Sequence, residues 1–443
     1  MKPGKEVTAM DWQEMNGALC ACGKVHSFDT RVISGKGVLP QVADVAADFG
    51  ANKAFVLSDP NTYAAAGRQV CTILEQAGIP YVSFVLPESK PEPDERSVGS
   101  VFLHWDGTCD LIIAVGSGVI NDIGKIVSNV TGKPYIIVAT APSMDGYASA
   151  TSSMERGGLK VSVPSRAPDV IIGDAEILCK APLKLMRSGL GDMLAKYISI
   201  CEWRIAALLL DEYYCEDIAQ LIRDALKRCV DNAEGLMNRA EKAVMAVFDG
   251  LVLGGIAMNY AGVSRPASGG EHYISHIVDM RGAALHTPVA LHGLQCAIGT
   301  LISARIYEKV KTYTPNREKA LAYVASFDRD AHNTMLRALL GAGAETMIAQ
   351  EDKEGKYNKG AHPARLDKII ARWDDILAII EEEVPSAAQI ESLLDTIGAP
   401  KAFSQIGTED ALLPDIFAAS KDIRDKYVLP RLCWDLGILE EII

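Results

Sequence analysis

The 443-residue sequence predicts an α/β amino-terminal domain built on a parallel sheet, followed by an all-helical carboxyl-terminal domain. Three observations predict it. Short apolar runs alternate with helical stretches up to Gly173, as strands buried on both faces do. From Glu176 onward, strand signals give way to long helical stretches. The change falls near Pro182, so residues 1–182 and 183–443 are expected as the two domains.

The elements follow in order. Residues 31–33 read as a short strand, and 39–49 as a helix that Gly50 stops. Residues 53–58 form an apolar strand ending at Asp59, and 62–78 are helical. A strand at 80–86 precedes a helix at 91–105, whose acidic start suits a helix N-terminus. Residues 110–115 are a continuous apolar strand, followed by a helix at 120–130 and a strand at 135–140. Residues 146–163, rich in Ser, Gly and Ala, are expected to form a hairpin lying on the sheet, and 169–173 closes the strand series. Helices are then expected at 189–210, 213–237, 242–263, 270–280, 293–310 and 317–327. A helical tail starts at 331 and is interrupted by a polar surface loop at 351–365. Residues 1–30 carry little pattern beyond a short helix over 10–19.

The net charge of −13 argues against a nucleic-acid partner, which would need a basic patch. The sequence has no run of 18 apolar residues and no secretory segment at its start, so no membrane span is expected. Its ten cysteines include no CxxC, and Cys20-x-Cys22 is too tight for an ordinary zinc knuckle. They read as reduced, mostly buried thiols of an intracellular, cytoplasmic protein.

Several short stretches carry chemistry. Gly116-Ser-Gly118-Val-Ile-Asn-Asp122 leaves a strand and opens a helix, where backbone N–H groups can meet a phosphate. It is not G-x-G-x-x-G, and an ordinary strand–helix turn reads equally well. Asp59 either accepts from an adenosine ribose or caps the next helix. Thr140-Ala-Pro142-Ser143-Met-Asp145 supplies hydroxyls and an acid beyond a strand, for a ligand or for a turn. Asp192 and Lys196 stand four apart, as an ion pair or a site, with Gly189 and Gly191 suggesting close approach at a helix start. His272 and His276 share one helix face behind Ser268-Gly-Gly, and His292 precedes Gly293. One carboxylate and two imidazoles, Asp192, His272 and His292, would hold a divalent metal and leave positions open for a substrate oxygen.

In this order, the motifs resemble the superfamily of dehydroquinate synthases, glycerol dehydrogenases and iron-containing alcohol dehydrogenases. Within it the chain is most similar to the glycerol-1-phosphate dehydrogenase family. The likeness rests on 116–122, 140–149, 189–196, Arg265-Pro-Ala-Ser-Gly-Gly-Glu-His272 and His292-Gly293. It implies a dehydroquinate synthase-like fold with a Rossmann-like first domain. It implies NAD or NADP on Gly116, Gly118, Val119, Ile120, Asn121, Asp122, Thr140, Ala141, Pro142 and Ser143, with Ser149 near the nicotinamide. Asp145 would touch substrate, Asp192 both metal and substrate, and His276 the substrate. Zinc is the expected ion, with nickel and iron as alternatives. The reaction implied is reversible reduction of dihydroxyacetone phosphate to sn-glycerol 1-phosphate, in a homodimer or larger homo-oligomer.

The phosphate needs cations or N–H groups, for which Lys196, Arg265 and the helix start at 268–270 are the candidates. Three other readings compete. The first is a glycerol-type polyol dehydrogenase, and the third is a binding protein that kept the fold. The second, a dehydroquinate synthase-type cyclase, usually offers glutamate where Asp192 stands.

Overall fold

The structure is a computed structural model and describes residues 11–156 and 159–443. The strands are β1 (Arg31–Gly35), β2 (Ala54–Ser58), β3 (Tyr81–Val85), β4 (Leu111–Gly116), β5 (Tyr135–Ala139), β6 (Thr151–Arg156), β7 (Leu159–Pro164) and β8 (Val170–Asp174). Six of them make one all-parallel sheet in the order β1-β8-β5-β4-β2-β3. Every residue of β2, β4, β5 and β8 is buried. That is why these strands read as unbroken Val/Ile/Leu/Ala runs rather than alternating ones. One sheet face alone carries Val56, Ile113, Val115, Ile136, Val138 and Ile172. Full burial stabilises each such side chain by about 1.5–3 kcal/mol.

The connections set the place of a ligand. After β2 the chain moves outward to β3 at the edge, and after β4 it moves the other way to β5. The carboxyl ends of β2 and β4 therefore flank a topological switch point, where open parallel sheets leave a crevice. Asp59 follows β2 there, and Gly116 ends β4.

The molecule divides into two compact units, each continuous in space but not in sequence. One comprises Met1–Met193 with Gln220–Gly262, the other Leu194–Ala219 with Val263–Ile443. The strand series ends at Asp174, and the compact units do not part at Pro182. The sheet unit also takes in the helices Leu183–Leu194, Glu216–Asp231 in part, and Glu241–Ala261. Glu241–Ala261 is long and apolar enough to cross a membrane by composition, yet 72% of that window is buried. It is a core helix: Gly255 lies so close to Ala148 that an added Cβ would come within 2.7 Å of the Ala148 Cβ.

Several sequence expectations shift. The hairpin β6–β7 forms, but β6 packs on the Gly118–Thr131 helix, with Ser152 Oγ donating to the Asp122 carbonyl at 3.1 Å. Residues 157–158 at its turn lie outside the described residues, as does Met10 of the expected 10–19 helix, whose described part is Asp11–Met15. The single helix expected over 189–210 is two, Leu183–Leu194 and Lys196–Leu210. Gly189 and Gly191 thus lie inside a helix, not at its start, and Asp192 and Lys196 do not share one. The polar stretch 351–365 is no simple surface loop. Its helix runs on to Glu354, Glu351 and His362 are each 1% exposed, and Tyr357 donates to both Asp422 oxygens at 2.7 and 2.8 Å. Charge read as solvated is instead paired internally.

Candidate functional site

In the sheet unit, two loops lie side by side. The Thr140 N–H donates to the Gly116 carbonyl at 3.1 Å, so the β5 exit is tied to the β4 exit. Gly116 is required by packing: an added Cβ would fall 2.4 Å from the Ile120 Cβ. Ile120 is accordingly a buried packing residue, and Val119 is half-buried. Gly118 opens a helix of 14 residues whose N-cap, Ser117, makes no side-chain capping bond. Its amides and dipole are available to an anion.

The other expected cofactor residues brace this turn. Asn121, fully buried, donates to the Gly146 carbonyl at 3.0 Å and accepts from the Tyr135 hydroxyl at 2.9 Å. Asp122 pairs with Lys125 at 2.8 Å. Lys125, which the sequence reading passed over, is fully buried and donates to the Gly146 and Thr151 carbonyls. It holds the 146–151 segment against the helix. Ser149 is spent locally, accepting from the Thr151 N–H at 3.1 Å. Asp59 takes the capping role: Oδ1 accepts from the Asn61 and Thr62 N–H groups, and the Thr62 hydroxyl accepts from the Asp59 N–H at 3.0 Å.

The loop 140–145 is fastened to the Leu183–Leu194 helix. Ser188 Oγ donates to the Ser143 carbonyl at 3.0 Å, and an added Cβ on Gly189 would fall 2.0 Å from the Pro142 oxygen. Only glycine lets the helix press this close. Thr140, Ala141 and Ser143 are all buried, and the Tyr147 hydroxyl donates to the Ala141 carbonyl at 2.8 Å. One turn beyond Gly189, Asp192 is fully buried, and its Oδ2 accepts from the Asp145 N–H at 2.9 Å. The loop thereby aims one carboxylate and brings Asp145 beside it.

In the helical unit, His272 and His276 lie on the Gly270–Leu285 helix, and His292 begins His292–Lys311. The His272 and His292 rings are 5.1 Å apart, and His276 stacks against His292 at 6.0 Å. Their hydrogen bonds fix the tautomers. His272 Nδ1 faces Glu271 Oε1 at 2.7 Å, a carboxylate that can only accept. For His292 the chain of donors is longer. Gln295 Nε2 donates to Asp279 and to the Ala290 carbonyl, so its Oε1 accepts from Ser275 Oγ at 2.9 Å. Ser275 Oγ, its proton committed, accepts from His292 Nδ1 at 3.1 Å. Both rings therefore carry hydrogen on Nδ1 and their lone pair on Nε2, the form in which imidazole binds a metal. Cys296 Sγ lies 3.6 Å from His292 Nε2, and all three donor atoms are within 4.8 Å of one another. Burial pushes the Cys296 thiol up, but His272 and His292 outweigh it and leave it below its ordinary value. The His292-x-x-x-Cys296 spacing was the sequence signal for this third donor.

The anion candidates fare differently. Arg265 is 1% exposed and its fork is closed on Glu212 (2.7 and 2.5 Å) and on the Tyr427 carbonyl (2.9 Å). The helix start at 268–270 is also occupied: the Gly269 N–H donates to Glu271 Oε1 and the Gly270 N–H to Glu202 Oε2, both at 2.8 Å. Two buried carboxylates already sit where a phosphate was expected. Burial, and then Glu271, push Glu202 up to about 8. Lys196 is fully buried. A cation the sequence did not suggest, Lys426, donates to the Ser268 carbonyl at 2.6 Å, and burial followed by Arg265 and Arg424 brings it down to about 7.

Comparison with known proteins identifies the fold and the family. The maleylacetate reductase of Rhizobium sp. strain MTP-10005 shares the fold, at a TM-score of 0.61, 15% identity, and 94% and 97% coverage of the two chains. The family profile described as iron-containing alcohol dehydrogenase matches residues 33–182. The chain has the fold of the iron-containing alcohol dehydrogenases. The glycerol-1-phosphate dehydrogenase [NAD(P)+] of Bacillus licheniformis is 26% identical over 95% of this chain and 93% of its own. That of Methanothrix thermoacetophila is 36% identical over 61% of this chain and 75% of its own. The chain belongs to the glycerol-1-phosphate dehydrogenase family and is an NAD(P)-dependent oxidoreductase.

Proposed function

We propose that the chain catalyses reversible reduction of dihydroxyacetone phosphate to sn-glycerol 1-phosphate with NADH or NADPH, holding one divalent metal on Asp192, His272 and His292. The observation that carries this is the tautomer of the two histidines: each has Nδ1 bound to a protein acceptor, which leaves Nε2 as a ligand. Two neutral imidazoles and one carboxylate fit a divalent ion, zinc foremost, with nickel and iron also suited. When bound, such an ion supplies Lewis acidity to a carbonyl oxygen. The nicotinamide supplies the hydride.

The chain's own residues do the rest. The uncapped amides at Gly118 would take the dinucleotide phosphate, with the 140–143 loop beside them. Asp192, fixed by the Asp145 N–H, orients the substrate with Asp145 at its side. His276, half-buried and stacked on His292, relays the proton that the product hydroxyl gains or loses. Lys196 remains the proposed phosphate partner, and Lys426 joins it; Arg265 does not, because it is buried with its charge paired to Glu212 and a further donor on the Tyr427 carbonyl.

That use of Arg265, and the filled amides at 269–270, are what favour the second reading, a polyol dehydrogenase of the same superfamily. A substrate panel separates them. Dihydroxyacetone phosphate, dihydroxyacetone, glycerol 1-phosphate and glycerol are each run with both cofactors. Removing a bound phosphate costs well over a hundredfold in kcat/KM on the proposed reading. Equal or faster turnover of the unphosphorylated pair selects the second.

A further inference from the structure

We propose that Cys20, Cys22 and His26 form a second metal site, a zinc clip that fastens the amino-terminal hairpin to the carboxyl end of the Glu241–Ala261 helix. The spacing Cys20-x-Cys22 alone is too tight for a zinc knuckle, but it does not act alone. The chain turns back on itself between Leu19 and Val25, which bridge in antiparallel fashion. The turn is closed by the Gly23 N–H donating to the Cys20 carbonyl and the Cys20 N–H to the Lys24 carbonyl, both at 2.9 Å. Gly23 sits at φ +82, a backbone conformation that glycine adopts without strain. The fold-back brings His26 to the two sulfurs.

The donor geometry is that of a site. The ligand atoms of Cys20, Cys22 and His26 all lie within 4.8 Å of one another. Cys22 Sγ is 3.4 Å from His26 Nε2. A tetrahedral ion about 2.3 Å from sulfur and about 2.0 Å from nitrogen would hold the two about 3.6 Å apart. The Cys22 N–H points at Cys20 Sγ at 3.4 Å, a contact that stabilises a thiolate.

The histidine is prepared as a ligand. Its Nδ1 lies 3.0 Å from the Tyr260 carbonyl, which can only accept, so Nδ1 carries the proton and Nε2 the lone pair. This is the outer hydrogen bond that metal-bound imidazoles make. The ring is 2% exposed and lies 5.4 Å from that of Tyr260, whose hydroxyl donates to the Trp12 carbonyl at 2.9 Å. Asn16 closes the segment by exchanging both amide hydrogen bonds with the Phe28 backbone. Two soft sulfurs with one imidazole select zinc over magnesium or calcium. A further donor completes the coordination. The site is separate in sequence and ligand type from Asp192, His272 and His292, and its role is to pin the entry segment to a core helix.

The test is metal content of the full-length His272→Ala/His292→Ala chain, purified under reducing conditions with zinc present. It is expected to retain about one zinc per chain, and Cys20→Ser added to it to retain almost none. A folded double variant without zinc overturns the proposal, as does zinc that Cys20→Ser leaves in place. Should Cys20→Ser fail to fold, cobalt(II) loading of the His272→Ala/His292→Ala/Cys296→Ala chain decides instead. Intense near-ultraviolet sulfur-to-cobalt bands support the clip; their absence, or a Cys20–Cys22 disulfide in the purified protein, overturns it. Failure of the catalytic-metal reading looks different: His272→Ala would then leave the wild-type zinc content unchanged.

Discussion

Two helices in this molecule begin in nearly the same way, each behind a glycine-rich turn, and they are used oppositely. At Gly118 the N-cap Ser117 makes no side-chain bond, so no side chain of the N-cap compensates the amides. At Gly270 the amides are filled by Glu202 and Glu271, and Glu271 then orients His272. A helix start is a site for negative charge in both cases. The difference is that at Gly270 the chain itself supplies the charge, whereas at Gly118 the proposed dinucleotide phosphate would. In the second case the bound carboxylate becomes part of a histidine's support.

The comparison can be broken most severely at Glu202. Glu202→Ala leaves the Gly270 and Leu429 N–H groups buried without acceptors, and denaturant unfolding should show a loss of about 2–5 kcal/mol. Ser117→Ala, at the equivalent place in the first helix, should change stability by less than ~0.5 kcal/mol. Comparable losses in the two variants would end the contrast. Next comes Gly116→Ala, whose Cβ would meet that of Ile120 at 2.4 Å and should cost about 1–3 kcal/mol. Gly118→Ala has nothing closer than 3.4 Å, so it should fold normally while weakening dinucleotide binding about tenfold, measured by fluorescence titration. Unaltered cofactor affinity in Gly118→Ala would remove the phosphate from this turn.

Glu271→Ala sharpens the second half of the comparison. Loss of the acceptor frees the His272 ring, and metal affinity should fall about 10–100-fold. The last test is with pH. Glu202 is raised from 4.5 to about 8, so the folded chain keeps a proton that the unfolded chain gives up. Its contribution is present in full below pH 4.5 and is lost as pH rises through 8. Thermal unfolding from pH 5 to 9 should show that decline in the wild type and a flatter profile in Glu202→Gln.

The sheet was legible because a strand buried on both faces leaves a continuous apolar run, as in β4 and β5. The histidines were legible because His272 and His276 are spaced for one helix face. What escaped reading was long-range partnership. Nothing local to Arg265 shows that Glu212 and the Tyr427 carbonyl close its fork, and nothing near Gly270 points to Glu202, 68 residues away. The same holds for Glu351 and His362, whose polar stretch looks solvated until its buried partners are known. Cys20 and Cys22 escaped because spacing was weighed without His26 four residues further on. The close approach expected at Gly189 holds, but it occurs inside a helix and against Pro142, a residue of another element that local sequence does not show.

The central claim is that Asp192, His272 and His292 hold the ion on which turnover depends. Its most direct test is metal content measured together with kcat in Asp192→Asn and His272→Ala, counted against the wild type. The account predicts that each variant loses one metal per chain and nearly all turnover while keeping its fold by circular dichroism. Undiminished metal with near-normal turnover in both would contradict it.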